Sequence, residues 1–245
     1  MKQAILLMLL VIIQLSLKAQ PEIGVSLAPG TTWLINNNVS DQGANLNYRT
    51  SFGFAGGLHA GYFFTKNLGL AVELNLASFN QRYQGDVTAV HFNAGDHLKY
   101  ITIPVLFELK TPGGFYFEIG PQFNLFSSAK GDFTLDEDPF SLNYKDRNID
   151  TGFSKTVVGG VFGLGGRFEL NDNMALTAGL RFFGGFSDAT KEMSQSEYLT
   201  EFSNQKLGFA VSFAHTDQNG GFRYEKTMAV SGSLLIGFVY AFGKK

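Results

Sequence analysis

Leu68-Gly69-Leu70-Ala71-Val72-Glu73-Leu74-Asn75-Leu76 decides the architecture, because its large aliphatic side chains occupy every second position. Gly69, Ala71, Glu73 and Asn75 take the other parity. A period of two puts the two sets on opposite faces of an extended strand and fits no helix. The same pattern recurs along the chain. Phe52, Phe54, Leu58, Tyr62 and Phe64 oppose Gly53, Ala55, Gly57, His59 and Gly61; Ile101 to Leu109, Phe115 to Leu125, Val158 to Leu170, Met174 to Phe182 and Met228 to Phe242 follow suit, and Ile23, Val25 and Leu27 open the series more weakly. Eight strands result.

Turn lengths agree with this parity. Residues paired across a hairpin share a face, so the period fixes the loop. Pairing Phe64 with Leu68, Thr111 with Phe115 and Leu170 with Met174 leaves three-residue turns, ending in Asn67, Gly114 and Asn173. These residue types tolerate positive φ, and a left-handed last residue is expected at all three. The remaining connections are long, at about 36–49, 86–96, 132–155 and 189–221. Short and long connections therefore alternate, as in outer-membrane barrels.

The chain of 245 residues is 44% apolar and only 16% charged, with 25 Phe, 9 Tyr and 29 Gly. A soluble barrel with its aliphatic face inside would present Gly, Ala, Ser and scattered charges to water, far short of the roughly 25–35% charged residues of a soluble surface. Turning the aliphatic face to lipid removes the conflict, and the small residues then fill a narrow eight-stranded lumen. Glu73, Glu108, Lys110, Glu118, Arg167, Glu169 and Arg181 fall on that inner parity as a structural charge network. Register places Glu108 opposite Glu118, a like-charge pair that needs a cation from Arg167, Arg181 or Lys110.

Residues 1–19, with Lys2, the apolar run Ala4 to Ile13 and Ala19, form an export signal too short to span a bilayer as a helix. Residues 20–245 form the barrel domain. The absence of cysteine excludes disulfides, thiolate metal sites and a lipoprotein anchor. A net charge of −2 offers no basic excess for nucleic acid.

Lys99-Tyr100-Ile101-Thr102-Ile103-Pro104-Val105-Leu106-Phe107, Phe115-Tyr116-Phe117-Glu118-Ile119-Gly120-Pro121-Gln122, the signal end Leu17-Lys18-Ala19-Gln20 and the last strand carry a family resemblance. The chain resembles the outer-membrane β-barrel family of Bacteroidetes, the PorT-like group often labelled porin family proteins. The resemblance implies residence in outer-membrane lipid and, through the C-terminal signal Gly237, Tyr240 and Phe242, handling by the barrel-insertion machinery. The terminal strand departs from that signal at Leu235 and in the trailing Gly243-Lys244-Lys245. PorT itself is associated with type IX secretion and gliding. Pro104 and Pro121 fit central strands only at a bulge or where a ladder bond is missing.

No catalytic, cofactor or metal site is expected. Ser127, Ser128 and His97 lie near the outer rim and define a hydrolase alternative, although no Ser-His or His-Asp motif is present. Asp132, Asp136, Glu137, Asp138, Asp146 and Asp150 read as a solvated acidic loop, and the glycines at 159–160 and 163–166 as close packing. Leu207, Phe209, Val211 and Phe213 alternate before a turn at 217–221 and predict an extracellular hairpin with exposed aromatics, a surface for an envelope partner. Counting it as spanning gives ten strands. The preferred reading is a non-enzymatic, eight-stranded, antiparallel up-and-down transmembrane barrel; a passive pore is the third possibility.

Overall fold

The computed structural model describes residues 20–87, 90–138 and 142–243. The export signal at 1–19 lies outside the described residues. Eight long strands close into an antiparallel ring: β1 (Gln20–Ile35), β3 (Phe52–Phe63), β4 (Leu68–Val87), β5 (Val90–Lys110), β6 (Phe115–Leu135), β8 (Thr156–Glu169), β9 (Met174–Gly185) and β10 (Met228–Ala241). Each pairs with its neighbours in that order, and β1 returns to β10 from Glu22↔Ala241 to Ile35↔Met228. Two short strands, β2 (Leu46–Arg49) and β7 (Tyr144–Asn148), pair with the upper ends of β4 and β6 outside the ring. Eight strands form the ring; the ten-strand alternative, which counted a 207–224 hairpin as spanning, is overturned, since the two additional strands are β2 and β7 and neither enters the ring.

Closure leaves no unpaired edge, which is what a sheet needs in a solvent without hydrogen-bonding groups. Leu58, Leu70, Val72, Leu74, Leu76, Ile119, Phe162, Leu180 and Ile236 all point outward and are exposed. Tyr62, Phe115, Phe168 and Phe242 ring the end bearing the short turns, an aromatic girdle at the membrane boundary.

Along β4 the two faces exchange character. Outward residues run Leu70, Val72, Leu74, Leu76, then Ser78, Asn80, Arg82 and Gln84; inward residues run Ala71, Glu73, Asn75, Ala77, then Phe79, Gln81 and Tyr83. The strand leaves lipid at about Ser78 and continues into water, where an apolar interior becomes the stable arrangement. Leu34, Phe79, Tyr83, Phe92, Leu98, Ile149, Phe153 and Val211 form the buried core of this extracellular part. The expected long connection at 86–96 is overturned, since β4 and β5 run on as a hairpin to Val87 and Val90. β6 likewise runs past Asp132 to Leu135.

All three short turns have the expected length, with Phe64 N donating to Leu68 O (3.1 Å), Thr111 N to Phe115 O (2.7 Å) and Leu170 N to Met174 O (2.8 Å). Only Gly114 adopts the left-handed conformation, φ +83°. Asn67 and Asn173 do not, contrary to expectation. Acceptors on the first turn residue replace that device: Thr65 Oγ1 accepts from Leu68 N, and Asn171 Oδ1 accepts from Asn173 N and Met174 N. Asn67 and Asn173 instead donate sideways to Lys110 O and Ala241 O, tying each turn to the next strand. Around the prolines, the β5–β6 ladder skips Val105 and Leu106 between Pro104↔Gln122 and Phe107↔Ile119, so the missing donors fall where pairing is already interrupted.

The 189–221 segment is a further correction. It contains two helices, α2 (Gln195–Ser203) and α3 (Phe209–Ala214), and the expected hairpin reduces to one Thr216↔Phe222 bridge around the turn at 217–221. An apolar run as short as 207–213 fits either period, and burial on several sides selected the helix. A third helix, α1 (Asn37–Ser40), precedes β2. No helix among the described residues is long and apolar enough to cross a membrane.

Candidate functional site

The lumen is filled in successive layers. In the lowest, β1, β3, β5 and β8 bring Glu22, His59, Glu108, Lys110 and Arg167 together. Lys110 Nζ donates to both oxygens of Glu22 at 3.0 and 3.1 Å, and Arg167 reaches Glu22 Oε2 at 3.1 Å. His59 Nε2 lies 3.3 Å from Glu22 Oε1 and its Nδ1 3.5 Å from Glu73 Oε1.

One step higher, Arg181 bridges the barrel. Its guanidinium meets Glu73 at 2.6 and 2.9 Å and Glu118 at 2.5 and 2.9 Å, bidentate on each side. The planar fork of arginine matches two carboxylates on opposite walls in a way that an ammonium could not. Gly163 makes room for the clamp: a Cβ there would lie 2.3 Å from Glu118 Oε1. The space left among these groups gives the centres of water molecules about 30 Å³, room for roughly two waters and no hydrated solute.

Above the clamp comes a polar layer of Asn75, Thr102, Gln122 and Asn124, and above that an aromatic one. Phe79 meets Tyr100 and Phe183 edge-on at 5.7 and 5.9 Å, and Tyr100 meets Phe126 at 5.8 Å. The extracellular cap closes the top. Phe209 of α3 packs against Tyr83, Phe92 and Phe133 at 5.4–5.9 Å. Beneath it Asp96 accepts from Phe209 N (3.0 Å) and Ala210 N (2.5 Å), occupying the first free amides of the helix. Burial raises the Asp96 carboxyl to about 6, even though those two amides favour its charged form.

Asn36 and Asn38 latch the cap. Asn36 Nδ2 donates to Glu225 O (2.7 Å) and Thr227 Oγ1 (3.1 Å); Asn38 Nδ2 donates to Phe213 O and Arg223 O, both at 2.9 Å. His215 accepts from Met193 N at 3.0 Å, which leaves its other ring nitrogen, 2.9 Å from Val211 O, to carry the proton. Burial lowers the pKa of this histidine, consistent with a neutral ring.

Of the residues singled out in the sequence, Glu73, Glu118 and Arg181 meet in the clamp, and Glu108 lies opposite Glu118 in the β5–β6 register. Lys110 and Arg167 serve Glu22 instead. Glu169 is a correction: it sits at the mouth with its side chain 45% exposed and pairs with Arg167 at 3.0 Å, outside the buried set. Glu22 and His59 were not nominated, although both have the inward parity that marks the others. Gly237 faces Thr177 inside the wall, whereas Tyr240 and Phe242 pack edge-on at 5.0 Å toward the lipid side.

At the outer rim His97 has both ring nitrogens engaged, Nε2 with Asp132 (3.0 Å) and Nδ1 with Asn80 (3.2 Å), and no serine hydroxyl contacts it among the described residues. The acidic loop does not converge. Asp132 accepts from Asp146 N, Asp138 from Leu142 N and Asn143 N, and Asp150 from Ala129 N. The aromatics Phe209 and Phe213 belong to the cap's packing rather than to an exposed surface. The large apolar side chains exposed on α2 and near it are Leu199, Phe202 and Phe222.

OprG of Pseudomonas aeruginosa is similar over 92% of this chain and 96% of its own, with 14% identity and a TM-score of 0.46. Neisserial surface protein A is similar over 91% and 97%, with 15% identity and a TM-score of 0.40. Ail, the attachment invasion locus protein of Yersinia pestis, solved with the heparin analogue sucrose octasulfate, is similar over 92% and 99%, with 12% identity and a TM-score of 0.38. A search of curated proteins finds no match. The model of the outer membrane protein beta-barrel domain matches residues 4–214, the greater part of the sequence, and the chain belongs to that family.

Proposed function

We propose that this outer-membrane barrel is a non-enzymatic, non-conducting envelope component that works through its extracellular cap. The observation that carries the reading is the stacked closure of the lumen: the Arg181 clamp, the Phe79–Tyr100–Phe183 layer and the α3 plug follow one another along the strands. A solute path would have to break all three. The cap is a packed unit latched by Asn36 and Asn38, and a rigid unit offers a partner surface at lower entropic cost than loose loops. On it α2 exposes Leu199 and Phe202, with relative exposures of 52% and 55%, beside Phe222. A PorT-like role, insertion by the barrel-assembly machinery through Gly237, Tyr240 and Phe242, and export through residues 1–19 belong to the same proposal, supported by the sequence resemblance.

Single-channel recording on the protein in planar bilayers tests it. The expected result is no steady conductance of open-porin size. Sustained unitary currents would refute the closed-lumen reading and favour a passive pore. The hydrolase alternative draws no support from His97, whose ring nitrogens face Asp132 and Asn80.

A further inference from the structure

The lowest layer of the lumen carries a feature that the proposed cap function does not use. Glu108 is only 5% exposed, yet no hydrogen bond or ion pair to its carboxylate is formed among the described residues. It faces Glu22 and His59, and one donor atom from each of the three lies within 4.8 Å of the other two. From these positions we propose that Glu22, His59 and Glu108 form a binding site for a divalent first-row transition ion such as Zn²⁺.

Three observations converge on it. Geometry comes first. Ligand bonds of about 2.1 Å in a tetrahedral shell place neighbouring donors about 3.4 Å apart, and Glu22 Oε1 and His59 Nε2 are 3.3 Å apart. The Glu108 donor lies within 4.8 Å of the other two and must close in by side-chain rotation to complete a three-ligand site with an open fourth position; one imidazole with two carboxylates is a donor set suited to such ions.

Charge is the second. The buried lumen holds four carboxylates, Glu22, Glu73, Glu108 and Glu118, against three permanent cations, Lys110, Arg167 and Arg181, and a fourth positive charge comes only from a proton on His59, whose ring lies between Glu22 and Glu73; a divalent ion on His59 would take that proton's place. Isolated buried charge is expensive. A divalent ion that takes over Glu22 from the Lys110 ammonium, with that ammonium turned toward the mouth, leaves two arginines and the ion to balance the four carboxylates.

Space is the third. Gly61 lies across from Glu22 on β3, and a Cβ there would come within 2.9 Å of Glu22 Cγ and 3.1 Å of His59 Nε2. The bare backbone keeps the floor of the site open. Its ligands sit near the Gln20 end of β1 and the short-turn ends of β3 and β5, so an ion would enter from the side opposite the cap.

The test uses the mature protein folded in detergent, stripped with chelator and titrated with Zn²⁺ by calorimetry and with Co²⁺ by visible absorption. One ion per chain and a tetrahedral Co²⁺ spectrum are expected. H59Q and E108Q should each weaken binding by about tenfold or more, the scale on which metal sites lose affinity when a supporting group is removed. The double variant H91N/H97N, which removes the rim histidines, should bind as wild type does. Absence of stoichiometric binding, binding undiminished in both H59Q and E108Q, or loss in H91N/H97N would overturn the site. Should the lumen variants fail to fold, anomalous scattering from Co²⁺-soaked wild-type crystals decides: a peak within bonding distance of the three side chains supports the site, and a peak elsewhere or none rejects it.

Discussion

Replacing Arg181 by methionine removes the crosspiece of the barrel while keeping a side chain of similar length. Four charge-assisted hydrogen bonds disappear; Glu118, only 3% exposed, loses its guanidinium partner, and Glu73, 2% exposed, keeps only Asn75 Nδ2 at 3.0 Å and His59 Nδ1 at 3.5 Å. Breaking one buried ion pair costs about 3–5 kcal/mol, chiefly because the surviving partner is stranded without solvent. R181M is expected to lose at least that much, roughly two to four powers of ten in the unfolding equilibrium. R181K should recover only part of it, since an ammonium cannot fork to both walls. The triple variant E73Q/E118Q/R181M should recover most of it, because no charge is left to strand. Urea unfolding in detergent reports all of these through Trp33, the single tryptophan of the sequence. A loss below about 1 kcal/mol in R181M, or a triple variant as unstable as the single one, would contradict buried-charge pairing as the force joining these walls.

Other outcomes follow from the same structure. Leu74→Lys, near the middle of the lipid-facing part of β4 and 53% exposed, should destabilise by about 2–4 kcal/mol in a bilayer, and an unchanged unfolding midpoint would argue against that face meeting lipid. G163V should displace Glu118 from Arg181 and reproduce much of the R181M loss, whereas G113V, with nothing near its Cβ, should be close to neutral in the same urea assay. Because Asp96 is held at about 6 when folded, above its ordinary value of 3.8, its contribution to stability is complete below the ordinary value and is lost as pH rises through 6. Amide exchange at residues 209–214 should therefore be more protected at pH 5 than at pH 7 after correction for intrinsic rates, and the difference should vanish in D96N. N38A removes the donor to Phe213 O and Arg223 O, at about 1–3 kcal/mol for carbonyls left unpaired, and should hasten proteolysis within 205–225; an unaltered cleavage rate would exclude a latch at this point.

Lipid-facing strands were legible because they have one cause. In the lower half, tails outside and a crowded lumen inside impose opposite demands on successive residues, so parity alone gave eight strands, their facing and the Glu108–Glu118 register. The upper half was not legible by the same rule. Beyond Ser78 both solvents change, and Phe79, Gln81 and Tyr83 turn inward where Glu73 and Asn75 did, so the alternation reverses its chemical meaning without breaking period. A strand running through such a reversal resembles a loop rich in Asn, Gln, Arg and Asp. The 207–213 run failed for another reason: buried on several sides, its residues carry no polar face to declare a helical period.

The candidate site divides in the same way. Parity located Glu73, Glu118 and Arg181 on the inner wall, since an isolated charge on a strand in lipid has nowhere else to go. Which cation meets which anion depended on the strand order around the ring, a long-range property that left Arg167 and Arg181 equivalent in sequence. Glu22 and His59 share the inward parity, but a weakly patterned first strand and a lone histidine among glycines gave little signal until β1, β3 and β5 were side by side. The sequence by itself determined that the chain closes into a barrel with its grease outward, because that choice rests on a two-residue period read locally. The clamp, the cap and the cluster around Glu108 were decided only in three dimensions, because each depends on side chains that circular closure brings together from distant strands.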